Sequence, residues 1–162
     1  MDTVTDASTL LRVDALNNRY TYAIDRLDMA GWLGTFSLQG RYELTTLENV
    51  KHDLPVSIML DDCYERLQDR VRYVTEVWHN AVEHYQARHF LNRDACWRGT
   101  EGELHASTNF SVYYTGPEGS TAPLVVGHYE DVMVEEDGEL RFRMKRAIMD
   151  TAVPPHYIIY PI

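Results

Sequence analysis

Apolar residues recur at three- and four-residue spacings in two stretches of the chain, which is the pattern of a helix with one buried face. The first stretch covers residues 9–28, and Ser8 or Thr9 is a suitable cap for its start. The second is expected to begin after Pro55, with Ser57 as its cap. The residues predicted to face the core are Val13, Leu16, Tyr20, Ala23, Ile24 and Leu27 in the first helix, and Leu60, Tyr64, Leu67, Val71, Val74 and Trp78 in the second.

Elsewhere the period is two, which indicates strands. A short strand is predicted within GRYELTTL (40–47), and four long strands are predicted from Gln86 onward. In the second long strand, the side chains expected to face one way are Leu104, Ala106, Thr108, Phe110, Val112 and Tyr114. In the last strand, a core face of Leu140, Phe142 and Met144 is expected opposite a solvent face of Arg141, Arg143 and Lys145.

Helices followed by a meander of strands predict an α+β domain. Its antiparallel sheet is expected to be solvated on one face and covered by helices on the other. No repeat, low-complexity segment or linker interrupts the sequence, so residues 1–162 are expected to form one domain that ends in an apolar tail (154–162). A chain of 162 residues is long enough to bury a continuous core without disulfides or metals.

The charge balance narrows the functional classes. A net charge of -10 disfavours nucleic-acid binding and a polybasic membrane segment, both of which need clustered Lys and Arg. No apolar run approaches the roughly 20 residues of a membrane span, and the start MDTVTDAST does not resemble a signal peptide. Cys63 and Cys96 are expected to be buried, unbridged thiols, which predicts a cytoplasmic protein.

His79, His84 and His89 stand five residues apart, which raises the question of a metal site. Five residues turn a helix by roughly 140°, and an odd spacing sends strand side chains to opposite faces. Neither geometry brings the three rings together. We therefore predict no metal site. His79 is expected at a helix end, His84 in a loop facing solvent, and His89 on the helix-covered side of a strand.

Several segments resemble one family when their order and spacing are taken together. They are YTYAIDRLDMAGW (20–32), GRYELTTLENV (40–50), MLDDCYERLQDRVRYV (59–74), YQARHFLNRD (85–94), ASTNFSVYYT (106–115) and RAIMDTAVPPHYIIYPI (146–162). With them the chain resembles the small (beta) subunits of the aromatic-ring-hydroxylating Rieske dioxygenases. These share the cone-shaped α+β fold of nuclear transport factor 2 and the SnoaL-like cyclases. The ending MDTAVPP with its apolar tail is most similar to the anthranilate-, salicylate- and benzoate-type enzymes.

The resemblance implies a cone with a strongly curved, mostly antiparallel sheet and N-terminal helices on its concave face. It also implies a non-catalytic small subunit that supports a large (alpha) subunit in the degradation of an aromatic carboxylate. The small subunits would form a trimer within a three-plus-three hexamer. The Rieske [2Fe–2S] cluster and the mononuclear iron are expected on the large subunit, and this chain is expected to hold no cofactor.

The cysteine positions agree with the absence of a Rieske cluster from this chain. That cluster needs two Cys and two His in closely spaced Cys–His pairs. No histidine follows Cys63 or Cys96 within three residues. The sequence therefore does not contain the ligand pattern.

A second hypothesis stays open because isomerases and dehydratases of the same cone shape carry acid–base groups in an internal cavity. Tyr20 and Asp25 on the first helix, with His89 and Asn109 on strands, would form such a set, since a buried Asp–His pair can move a proton. The interpretation we favour is that Asp25 and His89 satisfy each other's hydrogen bonds. A third hypothesis is a module that binds a small molecule in the same pocket without turnover.

Part of the apolar tail would cover the chain's own cone, but contact with another subunit is the simpler expectation. Its consecutive apolar residues would form an exposed patch in water, and two prolines prevent regular extension of the sheet. A carboxylate ligand would suit arginines, but interface ion pairs or solvated helix faces are the expected roles of Arg66, Arg70, Arg72, Arg88 and Arg93. The predicted interface residues are Trp78, Tyr85, Arg88, Trp97, Pro154, Pro155, Tyr157, Ile158, Ile159 and Tyr160.

Overall fold

Helices and short strands come first in the computed structural model, which describes residues 2–78, 84–153 and 157–162, and four long strands follow. The helices are α1 (Ala7–Ile24), α2 (Met29–Leu33), α3 (Leu47–Lys51) and α4 (Tyr64–Arg72), which continues as a π-helical segment (Tyr73–Val77). The strands are β1 (Asp2–Thr3), β2 (Tyr42–Thr46), β3 (Met59–Asp61), β4 (Gln86–Arg98), β5 (Leu104–Thr115), β6 (Thr121–Glu136) and β7 (Glu139–Met149). None of the helices in these ranges is long and apolar enough to cross a membrane.

The strands form one sheet in the order β1–β4–β5–β6–β7–β2–β3. Neighbouring strands are antiparallel except β2 and β7, which pair in parallel from Tyr42 opposite Lys145 to Thr46 opposite Met149. Helix α1 packs on β4 and β7, and we call the face it covers the inner face and the opposite face the outer face. The predicted α+β class and the four long strands are confirmed.

The first helix begins at Ala7, two residues earlier than a cap at Ser8 would allow and three earlier than a cap at Thr9. Asp6 is the N-cap, because its carboxylate accepts hydrogen bonds from the Thr9 backbone N–H at 2.9 Å and from the Ser8 and Thr9 hydroxyls. These bonds, led by the one from the Thr9 hydroxyl, lower the pKa of Asp6 to about 2. Ser8 and Thr9 therefore support the cap but do not provide it.

The second long helix begins at Tyr64, and not after Ser57 as predicted. Residues Met59–Asp61 are extended instead, because they pair with β2 in a register that sets Asp61 opposite Tyr42. Leu60, which was assigned to the buried stripe, is 51% exposed as a result. Pairing with a neighbouring strand has overridden a helical pattern that is present in the sequence.

The two cysteines are unbridged, as predicted. Cys96 is buried on β4, and burial raises the pKa of its thiol. Cys63 is exposed at the start of α4, so the prediction of a buried thiol is wrong at that position. The late start of α4 explains the difference, because Cys63 lies at the helix end and not on its buried face.

A cluster of aromatic rings fills the space between α1 and the inner face. Tyr20 is its centre, and the ring of Tyr20 lies 5.8–6.4 Å from the rings of Trp32, Phe36, Tyr129 and Phe142. All five side chains are buried, and most of the contacts are edge-on, the arrangement that aromatic quadrupoles favour. The cluster therefore ties α1 and the segment after it to β6 and β7.

A β-bulge in β7 changes which side chains reach this cluster. Val132 pairs with Met144, whereas the next residue of β6 pairs with Phe142, so Arg143 is an extra residue in β7. The alternation beyond Arg143 is shifted by one position. Lys145, predicted to face solvent, is completely buried on the inner face, and Met144, predicted to face the core, lies on the outer face.

Lys145 is paired and surrounded in this interior. Its Nζ lies 3.1 Å from both carboxylate oxygens of Asp131 and 3.0 Å from Oδ1 of Asn17. The faces of the Tyr129 and Phe142 rings lie 3.7 and 4.2 Å from the same nitrogen, in cation–π geometry. Burial raises the pKa of Asp131 to about 6 and lowers that of Lys145 to about 8, although their mutual attraction opposes both shifts.

Both pKa shifts mean that the ionised forms are less favourable in the folded chain than in water. The pKa of Asp131 is raised above its ordinary value of 3.8, so its stabilising contribution is present below that pH and is lost as the pH rises through about 6. The pKa of Lys145 is lowered from 10.5, so its contribution is lost as the pH falls through about 8. The pair therefore contributes least to the free energy of unfolding between pH values of about 6 and about 8, where both groups are ionised.

Replacing Lys145 alone by Met is expected to lower the free energy of unfolding by about 3–5 kcal/mol, because the carboxylate of Asp131 then stays buried without its counter-ion. The double variant Lys145→Met/Asp131→Leu is expected to be as stable as the natural chain or more stable, with its largest advantage at neutral pH. Urea unfolding at acidic, neutral and alkaline pH measures both effects. A double variant as unstable as the single one would show that the attraction outweighs the desolvation.

Candidate functional site

Asp25, directly after α1, and His89, near the start of β4, form a buried pair. One carboxylate oxygen lies 2.6 Å from Nδ1 of His89, and the other accepts the His89 backbone N–H at 3.2 Å. The Asp25 carbonyl also accepts a hydrogen bond from Nε2 of Gln86 at 2.6 Å. The side chains of His89 and Asp25 are 1% and 9% exposed, so the prediction that His89 faces the helix-covered side is confirmed. The pair joins the end of α1 to β4.

The other two residues of the predicted acid–base set do not join this pair. Asn109 is exposed on the outer face of β5, because the register places His89 opposite Val112 and β5 alternates from there. Its inclusion in the set was wrong. The Tyr20 hydroxyl donates to the backbone carbonyl of Ile162 at 2.8 Å, and burial raises its pKa well above the usual range. The geometry therefore assembles two of the four predicted groups.

The histidines do not converge within the part of the chain that the structure describes. His84 Nδ1 lies 2.8 Å from the Tyr160 hydroxyl, while His89 contacts Asp25; His79 lies outside the described residues. Over residues 2–78, 84–153 and 157–162, no group of three or more His, Cys, Asp or Glu side chains comes together in a way that would hold a metal ion.

The end of the tail is part of the chain's own core. Ile159, Tyr160 and Ile162 are between 2% and 7% exposed. The Tyr42 hydroxyl accepts the Ile162 backbone N–H at 2.8 Å, on the other side of the same residue from the Tyr20 contact. The expectation that Ile159 and Tyr160 pack on another subunit is corrected by this burial, since the aromatic interior offers them an apolar site within their own chain.

The remaining predicted interface residues divide by exposure. Tyr157 is 46% exposed and Ile158 is half-buried, so an interface role stays a prediction for both. Pro154 and Pro155 lie outside the described residues. The start of the tail can therefore still contact a partner, whereas its end cannot do so without leaving the core.

Three aromatic residues were predicted to share the same interface with the tail. Tyr85 is buried, and its ring lies 5.5 Å from the ring of Tyr160, so it belongs to the core of the chain. Trp78 is half-buried at the end of the π-helical segment. Trp97 is half-buried on the outer face, where it stacks on His105 with ring centroids 5.5 Å apart. The structure does not bring the three together on one surface.

An exposed patch on the outer face was not identified from the sequence. Phe90, Tyr113 and Val126 are 60%, 40% and 46% exposed, and with the exposed Arg88 we call them the outer patch. The Phe90 and Tyr113 rings meet edge to face at 5.8 Å, and together with Arg88 they border a cavity of about 460 Å³. The sequence did contain a sign of this patch, because its apolar residues occupy positions of β4, β5 and β6 that alternate with core positions.

The predicted arginine set consists mainly of ion pairs within the chain. Arg70 and Arg93 each bind a carboxylate through two nitrogens, at 2.9 and 3.0 Å for Asp61 and at 2.7 and 3.1 Å for Asp14. Looser pairs join Arg66 to Asp62 at 3.8 Å and Arg72 to Asp69 at 3.7 Å. These four arginines do not converge on a ligand. Arg70 and Arg93 pair within the chain and not across an interface, whereas Arg66 and Arg72 lie on solvated helix faces, as expected. Arg88 belongs to the outer patch.

The element order, the open mixed sheet and the helices on its inner face give the chain the nuclear-transport-factor-2-like α+β fold. A family model described as the ring hydroxylating beta subunit matches residues 19–155. The chain therefore belongs to the family of ring-hydroxylating beta subunits, and the predicted resemblance is confirmed.

Individual relatives agree with this assignment. The chain is 29% identical over 157 residues to the anthranilate 1,2-dioxygenase small subunit of Burkholderia cepacia, covering 97% of this chain and 96% of the relative. It is 27% identical over 152 residues to subunit beta 1 of the terminal oxygenase component of terephthalate 1,2-dioxygenase from Comamonas sp., covering 94% and 97%. The fold matches a beta subunit assigned to an aromatic-ring-hydroxylating dioxygenase of Novosphingobium aromaticivorans with a TM-score of 0.83, at 22% identity and over 97% and 100% of the two chains.

Deleting residues 159–162 is expected to lower the free energy of unfolding by about 3 kcal/mol or more, because four buried residues and the partners of two buried tyrosine hydroxyls are removed. Denaturant unfolding of the isolated chain measures the loss. Val153→Ala, a change at a position that is 80% exposed and precedes the tail, is the control and is expected to shift stability by about 0.5 kcal/mol or less. Unchanged stability of the shortened chain would instead support the interface role that the sequence predicted for the tail.

Proposed function

We propose that this chain is the non-catalytic small subunit of a Rieske non-haem iron oxygenase that hydroxylates an aromatic carboxylate. The observation that carries the proposal is the match of the beta-subunit family model to residues 19–155. Membership of that family implies a large-subunit partner. In this proposal the large subunit holds the Rieske [2Fe–2S] cluster and the mononuclear iron.

The substrate class and the assembly extend the same proposal. Anthranilate and terephthalate, named for two relatives, both carry a carboxylate on an aromatic ring, which supports an aromatic carboxylate as the substrate of the complex. We further propose that the small subunits trimerise within a three-plus-three hexamer, and that the complex works in the cytoplasm, in keeping with the two unbridged cysteines.

The packing of the interior supports a structural role for this chain. Asp25 binds the backbone N–H of His89 as well as its ring, and its carbonyl is bound by Gln86, so the pair holds two elements together. The Tyr20 hydroxyl is occupied by the carbonyl of Ile162. Groups that already hold the fold in this way have little freedom to bind and turn over a substrate.

The outer patch is the surface that we propose for contact with the large subunit. The end of the tail, which was the first candidate, is buried, whereas Phe90, Tyr113 and Val126 offer apolar area on a firmly paired part of the sheet. Arg88 lies beside them, and aromatic residues with arginine are the types that dominate the binding energy of interfaces. One partner surface that covers this patch would remove it from water.

Phe90→Lys is expected to weaken binding of the large subunit at least about tenfold, because a charge replaces an aromatic ring at the proposed contact. Co-expression with the large subunit, purification through a tag on that subunit, and titration of the separated subunits measure the change. Leu11→Lys is the matched control, since Leu11 is 67% exposed on α1, away from the outer face. Equal affinities for the natural chain and Phe90→Lys, with both folded, would remove the outer patch from the interface.

A self-standing isomerase, dehydratase or cyclase is the second candidate, and the observation in its favour is the 2.6 Å contact between Asp25 and His89. The buried Nε2 of His89 has no hydrogen-bond partner within the described residues, so a proton acceptor or donor could meet it there. Against this candidate, Asn109 lies on the opposite face of the sheet. Asp25 and His89 alone therefore fit a structural clamp between the end of α1 and β4 better than they fit a complete acid–base site.

Asp25→Asn tests the two candidates directly. If the pair is a clamp, the variant is expected to lose about 1–3 kcal/mol of stability, because an amide cannot replace both carboxylate hydrogen bonds. Turnover of the assembled oxygenase, measured well below its unfolding temperature, is expected to stay unchanged. Normal stability combined with a loss of an activity carried by this chain alone would favour the enzyme candidate instead.

A further inference from the structure

A cleft lies between α1 and the strands β4 and β5 on the inner face of the sheet. Its volume is about 340 Å³, and its lining includes Asp14 and Asn17 from α1, Leu91 and Arg93 from β4, and Thr108 from β5. Neither the proposed assembly surface nor the ring-hydroxylating function uses this cleft. Its floor is polar, although it lies next to the most apolar part of the molecule.

Two buried polar groups of the floor lack a partner within the described part of the chain. They are Nδ2 of Asn17 and Oγ1 of Thr108, in side chains whose residues are 3% and 1% exposed. An unpaired buried polar group of this kind is unfavourable and uncommon in a folded protein. Since both residues line the cleft, a bound molecule is a direct way to satisfy them.

The orientation of the Asn17 amide is determined by the buried ion pair. Oδ1 of Asn17 lies 3.0 Å from Nζ of Lys145, and the reversed amide would place its NH₂ group against the ammonium. The amino end is therefore the part of the amide left for the cleft. The floor presents an N–H and a hydroxyl that can donate, while the amide oxygen is already occupied.

The walls of the cleft carry no net charge. The Arg93 guanidinium binds both oxygens of Asp14 at 2.7 and 3.1 Å, so the two charges cancel across the cleft. Behind the floor, Lys145 is balanced by Asp131. Leu91 supplies an apolar wall. An anionic ligand would meet the Asp14 carboxylate without an excess positive charge to compensate for it.

We propose that this cleft binds a small uncharged molecule that presents a carbonyl oxygen to Asn17 and Thr108 and an apolar group to Leu91. The proposal rests on unmet donors at the floor, an apolar wall and zero net charge. It concerns ligand binding alone and does not depend on the assembly of the oxygenase.

Benzamide and benzoate are suitable probes, because they have nearly the same shape and differ in charge. Titration of each into the isotope-labelled full chain, followed by NMR of the backbone amides and of the Asn17 side-chain amide, gives the site and the affinity. We expect benzamide to shift the signals of Asn17 and Thr108 and to bind more tightly than benzoate. Equal or tighter binding of benzoate would overturn the proposal that the ligand of the cleft is uncharged.

Thr108→Val removes the floor hydroxyl with little change in volume and is expected to weaken benzamide binding about threefold to tenfold. Thr108→Ser restores the hydroxyl and is expected to restore the affinity. Thr115→Val is the matched control on the same strand, because the Thr115 hydroxyl pairs with that of Thr121 and lies outside the cleft. Equal affinities for all three variants would overturn the assignment of the floor.

A bound water is the alternative occupant of the same two groups. A high-resolution crystal structure of the chain soaked with benzamide distinguishes the two. Density for the amide over Leu91, with its oxygen within hydrogen-bond distance of Asn17 Nδ2, supports the proposal. An ordered water bridging Asn17 and Thr108, with no NMR shifts from either probe, would overturn it.

Discussion

The buried contact between Lys145 and Asp131 organises the inner face of the sheet. The ammonium lies between the carboxylate, the Asn17 amide and the faces of aromatic rings, so it joins β6 and β7 to α1. Two charges of opposite sign on adjacent strands also specify the register, since a shift by one residue would bury one of them alone. The aromatic cluster and the floor of the cleft both take their positions from this pair.

The regular part of this architecture was predictable, and the bulge that places the pair was not. The period-two pattern from Gln86 onward identified the long strands, because more and less buried side chains alternate along most of each strand. LRFRMK (140–145) alternates apolar and basic residues without interruption, so nothing in it marks Arg143 as an extra residue. A bulge is a property of two paired strands, and the pattern of one strand does not contain it. Leu60 was misplaced for a related reason, since β3 exists through its pairing with β2.

The candidate site was likewise predicted only in part. Asp25 and His89 were identified because each is a polar residue at a position expected to face the interior, and the structure joins them at 2.6 Å. Asn109 was misassigned even though the alternation of β5 already places it on the face opposite the core side chains of Phe110 and Val112. The end of the tail was misassigned because hydrophobicity shows that a segment is buried but not which surface buries it. The outer patch is the converse case, because its apolar residues lie on the face of the sheet opposite α1 and are therefore exposed to water.

The position of the tail has a consequence for how the chain folds during synthesis. Ile162 is held by Tyr20 and Tyr42, which precede it by 142 and 120 positions. Every strand of the sheet emerges from the ribosome before residues 159–162 do. The aromatic interior of a nascent chain therefore stays open at one side until residues 159–162 are released, a state in which exposed apolar surface favours aggregation. Chaperones that shield aromatic surface after the strands have emerged are the cellular factors on which the yield of this subunit would depend.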